Sequence, residues 1–485
     1  MERNHTMLQF FEWHVAADGD HWKRLKDAAP ELKASGIDAV WIPPVTKGES
    51  PDDNGYGVYD LYDLGEFDQK GDVRTKYGTK DELHEAIQAC HENGIQVYVD
   101  VVMNHKAGAD EKETFQVIEV DAENRLEEIS EPFEIEGWTK FTFPGRDGKY
   151  SDFQWNFDHF NGTDYDAREE RTGFFKIVGE GKSWNDQVDD EFGNYDYLMF
   201  ANLDYNHPEV RDEMINWGKW MSDTLDADGY RLDAIKHISH DFIDDFIRQV
   251  KEHRDGNFYM VGEYWNEDIE ACGSFLEATD FQLDLFDVQL HYKLHRISED
   301  GRDADLSTLF EGTLVGEFPM NAVTFVDNHD SQPGESLESW VQDWFKQSAY
   351  ALVLLRADGY PCVFYGDYFG IDGENPIEDK REAIDPLIYA RFHRAYGEQD
   401  DYFDHPATIG WVRRGVEEIE GSGCAVVVTV GDEGEKRMFV GEHRAGEEWT
   451  DYTNSIDEPV VIDDEGYGTF PVQAGSVSVW ALPAE

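Results

Sequence analysis

Short runs of apolar and β-branched residues recur along the chain, and most are separated by stretches with helical spacing. LQFFEW (8–13) is the first run. DAVWIPP (38–44) follows a helical pattern over His21–Ser35, and IQVYVDVVMNH (95–105) follows one over Lys80–Asn93. DGYRLDAIKH (228–237) follows Val210–Leu225, and FYMVGEYW (258–265) follows Asp241–Arg254. FDVQLHY (286–292), AVTFVDNHD (322–330) and YPCVFYGD (360–367) continue the series. Eight such strands alternating with helices predict an α/β fold, a (β/α)8 parallel barrel of the TIM type.

Two stretches break the alternation. Residues 104–207 are rich in Gly, Asp and aromatic residues and lack helical spacing. They are too long for a βα loop, so they predict a domain inserted after strand 3. From 397 onward WVRRG, AVVVTV, KRMFVG, PVVID and VSVWAL are short strands between turn residues. They predict an antiparallel β-sandwich. The expected division is therefore a barrel of 1–103 and 208–396, an inserted domain of 104–207 and a C-terminal β domain of 397–485.

Composition narrows the function. With 14 Trp, 23 Tyr and 30 Phe in 485 residues, the chain is built to fold. No run of about 18 apolar residues is present, so no membrane-spanning helix is predicted. MERNHTMLQFFEW lacks a basic segment followed by an apolar one, which predicts no signal peptide. The expectation is a cytoplasmic protein, or a secreted one whose leader has been removed. Cys90, Cys272, Cys362 and Cys424 lie far apart without a CxxC pair and predict buried free thiols.

The chain carries 104 Asp+Glu against 41 Lys+Arg, a formal net charge of −63. Such a surface excludes nucleic acid and anionic membranes as partners. At low salt it also repels itself. The acids are spread along the whole chain, a pattern of adaptation to high salt. With so much acid, a catalytic role for any one carboxylate needs more than its residue type.

Three carboxylates have that context. Asp233 follows GYRL, Glu263 follows YMVG and Asp330 ends VTFVDNHD, each at the C-terminal end of a predicted barrel strand, where barrel enzymes carry their chemistry. Helix N-caps or salt bridges at the barrel mouth are the plainer use of acids at such places. Arg231 precedes Asp233 by two residues and so points to the same face of its strand, where it is expected to hold Asp233 as a carboxylate and lower its pKa.

DGYRLDAIKH, GEYW, FVDNHD and DVVMNH resemble the four conserved regions of the α-amylase family, glycoside hydrolase family 13, in order and spacing. WIPPVTKG, YDLYDLGEFDQKG, NYDYLMFANLDYNHPEV and SQPGESLESWVQDWFK are similar to the bacterial liquefying members. The resemblance implies retaining endo-hydrolysis of α-1,4-glucosidic bonds in starch, glycogen or maltodextrins. It assigns Asp233 as nucleophile, Glu263 as general acid and base, and Asp330 as the group that stabilises the distorted sugar. It further implies substrate contacts from Arg231, His105, His237, Lys236, His329, Tyr56, Trp13 and Trp265. No organic cofactor is implied, and the chain is expected to be a monomer.

The family usually holds calcium between barrel and inserted domain. Here Asn104, Asp196, Asn202 and the carbonyl of His237 match that site, with Asp204, Asn161 and Asn185 beside it. Close relatives carry Asp where this chain has Asn161, Asn185, Asn202 and Asn206. Calcium wants six to eight oxygens and several carboxylates. Weakened calcium, or sodium in its place, is the expectation. A transglycosylase, branching enzyme or α-1,6-glucosidase with the same carboxylates, and a non-catalytic glucan-binding protein, are the competing readings.

Overall fold

The computed structural model describes residues 3–483. Among these, eight parallel strands close a barrel in simple chain order. They are β1 (Met7–Gln9), β2 (Ala39–Ile42), β3 (Gln96–Val101), β4 (Gly229–Leu232), β5 (Tyr259–Gly262), β6 (Asp284–Phe286), β7 (Ala322–Phe325) and β8 (Tyr360–Phe364). Period-2 alternation sorts their side chains. Val97, Val99, Val101, Tyr230 and Leu232 face the helices, whereas Ala39, Trp41, Tyr98, Val261, Phe286, Val323 and Phe325 fill the barrel.

The expected helices form with shifts of one or two residues at their ends: His21–Ser35, Lys80–Glu92, Pro208–Leu225 and His240–His253. Local chemistry sets their boundaries. Thr79 and Glu82 make a reciprocal capping box at the second helix, and Pro208 opens the third at a position that needs no N–H.

One expected strand needs correction. Of FDVQLHY only the first residue is extended; Val288–Asp300 is a helix. The buried Asp287 accepts from Leu290 N at 2.9 Å and starts that helix. Leu290, Leu294 and Ile297 then follow at helical spacing and are buried. The alternation of Val, Leu and Tyr over five residues was too short to distinguish the two periods.

The stretch after β3 builds a six-stranded sheet with antiparallel pairings from His105–Lys106 through Ala201–Leu203. The C-terminal stretch builds a second six-stranded sheet and a two-stranded one, Gly434–Phe439 with Tyr467–Val472. Val412, Val427, Met438, Trp449, Phe470 and Trp480 form a common core there. Strands Gln399–Tyr402 and Glu448–Asp451 escaped the sequence reading because QDDY and EWTD each carry two acids in four residues. Cys90, Cys272, Cys362 and Cys424 are buried free thiols.

Candidate active site

The C-terminal ends of β3, β4 and β5 converge on one buried guanidinium. Asp100 and Arg231 are register partners on β3 and β4, so both side chains enter the barrel at one level. Arg231 is fully buried. Its Nη1 donates to Asp100 at 3.0 Å and to Asp233 at 2.6 Å, and its Nη2 lies 2.9 Å from Glu263 Oε2. The Trp41 ring packs 4.8 Å from the guanidinium. A lone buried cation is prohibitively costly; three surrounding carboxylates compensate it. The surface ion pair that a strand arginine would otherwise suggest is excluded by this burial.

Asp233 and Glu263 thus share the Arg231 guanidinium, one on each terminal nitrogen. Burial, more than any neighbour, raises Asp233, to about 6, and Arg231 opposes the rise. The expectation that Arg231 would bring Asp233 below its ordinary range is thus corrected: desolvation outweighs the ion pair. Burial also raises Glu263, and the Asp233 charge pushes the same way. The Asp233 charge is the effect that favours a protonated Glu263. Asp330, on the loop after β7, is raised by burial first and by the Glu263 charge second.

Around this centre the structure gathers most of the predicted contacts. The rings of Trp13, Tyr56 and His329 form a near-parallel cluster, with centroids 5.8, 5.3 and 5.9 Å apart around the triangle. His329 lies 3.3 Å from Asp330 and 3.0 Å from Gln9 Nε2. His105 Nε2 reaches the carbonyl of Tyr56 at 2.8 Å, and His237 Nδ1 that of Tyr195 at 2.7 Å. Burial lowers the pKa of His105 to about 4 and that of His237 to about 3, so both rings are neutral at pH 7. Lys236 spans the carbonyl of Trp265 at 2.9 Å and Glu191 at 2.8 Å. Trp265 donates to Tyr292 at 3.0 Å and packs against the barrel interior.

Asp100 is the member that residue-by-residue reading missed. It accepts from Arg231, from Tyr56 Oη at 2.9 Å and from Trp41 Nε1 at 3.0 Å. Its inward parity with Tyr98 on β3 was the available signal. Asp100→Ala strands three buried donors, and we expect a loss of about 3–5 kcal/mol of stability in urea unfolding.

The expected metal group is also brought together, though not as a cage of lone pairs. Asp196 accepts from Asn161 Nδ2 at 2.7 Å, Asn202 Nδ2 at 3.1 Å and Asn185 N at 2.8 Å. Asn104 Nδ2 lies 3.2 Å from His105 Nδ1. Asp204, expected among the ligands, instead accepts an ion pair from Lys182 at 2.9 Å.

Elsewhere, among the described residues, potential ligand atoms of His159, His207 and Glu209 lie within 4.8 Å of one another. Both rings, however, accept a backbone N–H through Nδ1, from Asn156 and Glu209 respectively. A neutral ring bonded this way carries its proton on Nε2 and offers a metal no lone pair there. The group reads as two donors facing a carboxylate.

The family described as "Alpha amylase, catalytic domain" matches residues 16–405. The chain belongs to the alpha-amylase family. It is 50% identical over 478 residues to the glucan 1,4-alpha-maltohexaosidase of Bacillus sp. (strain 707), covering 98% of this chain and 92% of that one. It is likewise 50% identical over 479 residues to the alpha-amylase of Bacillus licheniformis, covering 98% and 93%. An Anoxybacillus alpha-amylase crystal structure shares the fold over 100% of this chain and 98% of its own, with TM-score 0.67 at 18% identity. This chain is thus a glycoside hydrolase on an amylase fold, and the non-catalytic reading falls away. No helix among the described residues is long and apolar enough to cross a membrane.

Proposed function

We propose that this amylase cleaves α-1,4-glucan internally by double displacement, with Asp233, Glu263 and Asp330 as its catalytic residues. The observation that carries the assignment is the convergence of Asp233 and Glu263 on the buried Arg231 guanidinium at the barrel mouth. Asp233 attacks the anomeric carbon while Glu263 gives its proton to the departing glycosidic oxygen. Glu263, now a carboxylate, takes a proton from water; that water attacks the same carbon and Asp233 leaves. Two inversions return the α configuration. Asp330 and His329 hold hydroxyls of the distorted ring, and Trp13, Tyr56 and Trp265 give it apolar walls. His105, His237 and Lys236 extend the contacts on either side. Proton NMR of fresh digests of maltoheptaose tests the scheme: α-anomeric product is expected, and β-anomeric product would refute it.

The pH dependence follows from the two carboxyls. Asp233 must be ionised, so kcat/KM is expected to fall about tenfold per unit as pH drops well below about 6. Glu263 must be protonated, so its ionisation sets the alkaline limb. A pH–rate profile measured at constant ionic strength checks both limbs; Glu263→Gln should abolish the alkaline one.

The proposal includes high-salt adaptation, a monomeric enzyme, and the division at 104, 207 and 397 suggested by the sequence. It places any bound cation at Asp196, Asn202, Asn104 and the His237 carbonyl. There the buried Asn202 Oδ1 lacks a hydrogen-bond partner and suits a cation of low charge. Calcium fits this donor set poorly, because Asp196 is its one carboxylate and amide N–H groups already satisfy it.

A further inference from the structure

The poor fit to calcium has a structural counterpart a few residues away. Lys182 lies in the inserted segment between the strand Arg171–Ile177 and Ala201–Leu203, and its side chain is 7% exposed. Its ammonium donates to the carbonyl of Asp158, to the carbonyl of Phe160 at 2.9 Å and to Asp204 Oδ2 at 2.9 Å. Asp204 is itself 3% exposed at the side chain. One buried cation is therefore held by three oxygens, two of them backbone carbonyls, in the manner of a bound metal ion.

The neighbouring amides complete the pattern. The carbonyl of Ser183 accepts from Asn161 Nδ2 at 3.3 Å and from Asn206 Nδ2 at 3.5 Å. Asn202 Nδ2 donates to Asn161 Oδ1 at 2.8 Å. Where a divalent cage would present converging lone pairs, this one presents N–H groups already bonded to the acceptors. The buried charges are Asp196 and Asp204 against Lys182, two negative and one positive.

We infer that the Lys182 ammonium is a built-in cation that ties the inserted sheet to the Asp204 segment, so that this junction needs no divalent metal. The position matters because Asp204 N bonds the carbonyl of His159, and Leu203 N that of Asn104 directly after β3. The segment therefore links the inserted sheet to the barrel strand that carries Asp100.

Thermal melts and metal analysis at fixed ionic strength test this. The wild-type protein, dialysed against EDTA and then a metal-free buffer, is expected to keep its melting temperature within about 1 °C and to hold less than about 0.1 equivalent of calcium by elemental analysis. Adding millimolar calcium should not raise the melting temperature. Lys182→Met leaves Asp204 buried and unpaired, and should lower it by about 5 °C or more. Lys182→Met/Asp204→Asn removes both charges and should recover most of that loss, which keeps the test readable if the single variant folds poorly. Stoichiometric retained calcium, a melting temperature that collapses with EDTA, or a Lys182→Met protein as stable as wild type would overturn the inference. So would a double variant no better than the single one. None of these readouts depends on the catalytic assignment.

Discussion

Asp233→Asn is expected to lower kcat on soluble starch by about 10⁴-fold or more, with a melting temperature close to that of the wild type. The amide has nearly the shape of the carboxylate and can still meet Arg231 and Glu263, but it cannot form the glycosyl ester. Glu263→Gln should cost about 10²–10⁴-fold, the range for a positioned general acid. The two losses can be told apart with an aryl maltoside whose leaving group needs no proton. That substrate should restore the glycosylation step in Glu263→Gln and not in Asp233→Asn. Equal recovery in both variants would show that the roles are assigned wrongly. Activity unaffected by either change would remove the mechanism altogether.

The second large effect concerns salt. In buffer with about 0.05 M salt the protein is expected to lose a large part of its stability, and to regain it as sodium chloride approaches molar concentration. The driving term is the net charge of −63. Exposed acids cluster in the chain without cations between them, as at Glu417, Glu418 and Glu420, or Asp457 and Glu458. The Debye length shrinks from about 10 Å at 0.1 M to about 3 Å at 1 M, so molar salt removes most repulsion between such neighbours. Exposed pairs such as Arg302–Asp432 weaken at the same time, but each contributes little. Repulsion among many like charges therefore dominates the response. Melting curves from 0.05 to 3 M sodium chloride at pH 7.5 measure it. A melting temperature independent of salt would show that the acidity has another cause.

Much of the architecture is legible in local pattern. The helices His21–Ser35 and Lys80–Glu92 follow from apolar spacing and capping residues, and each barrel strand is a short apolar run near a polar terminus. The positions of Asp233, Glu263 and Asp330 at strand ends follow from the same pattern, because the end of an apolar run is a local property. Where period alone had to decide over five residues, at Val288–Tyr292, the pattern failed and the Asp287 cap prevailed.

What the sequence by itself determined was thus the alternation of elements, the excess of acid, and which carboxylates stand at the mouth of the barrel. The tertiary structure decided the charge environment those carboxylates share. Asp100 and Arg231 are 131 residues apart in the chain and meet only through the register of β3 with β4. Burial at that meeting point, which no single segment encodes, raises Asp233 instead of lowering it and raises Glu263 with it. The same holds at the junction. The sequence displays asparagines where acids were expected, but only the folded chain brings Lys182 to Asp204. Desolvation and long-range pairing are properties of three-dimensional proximity, and one-dimensional periodicity carries no record of them.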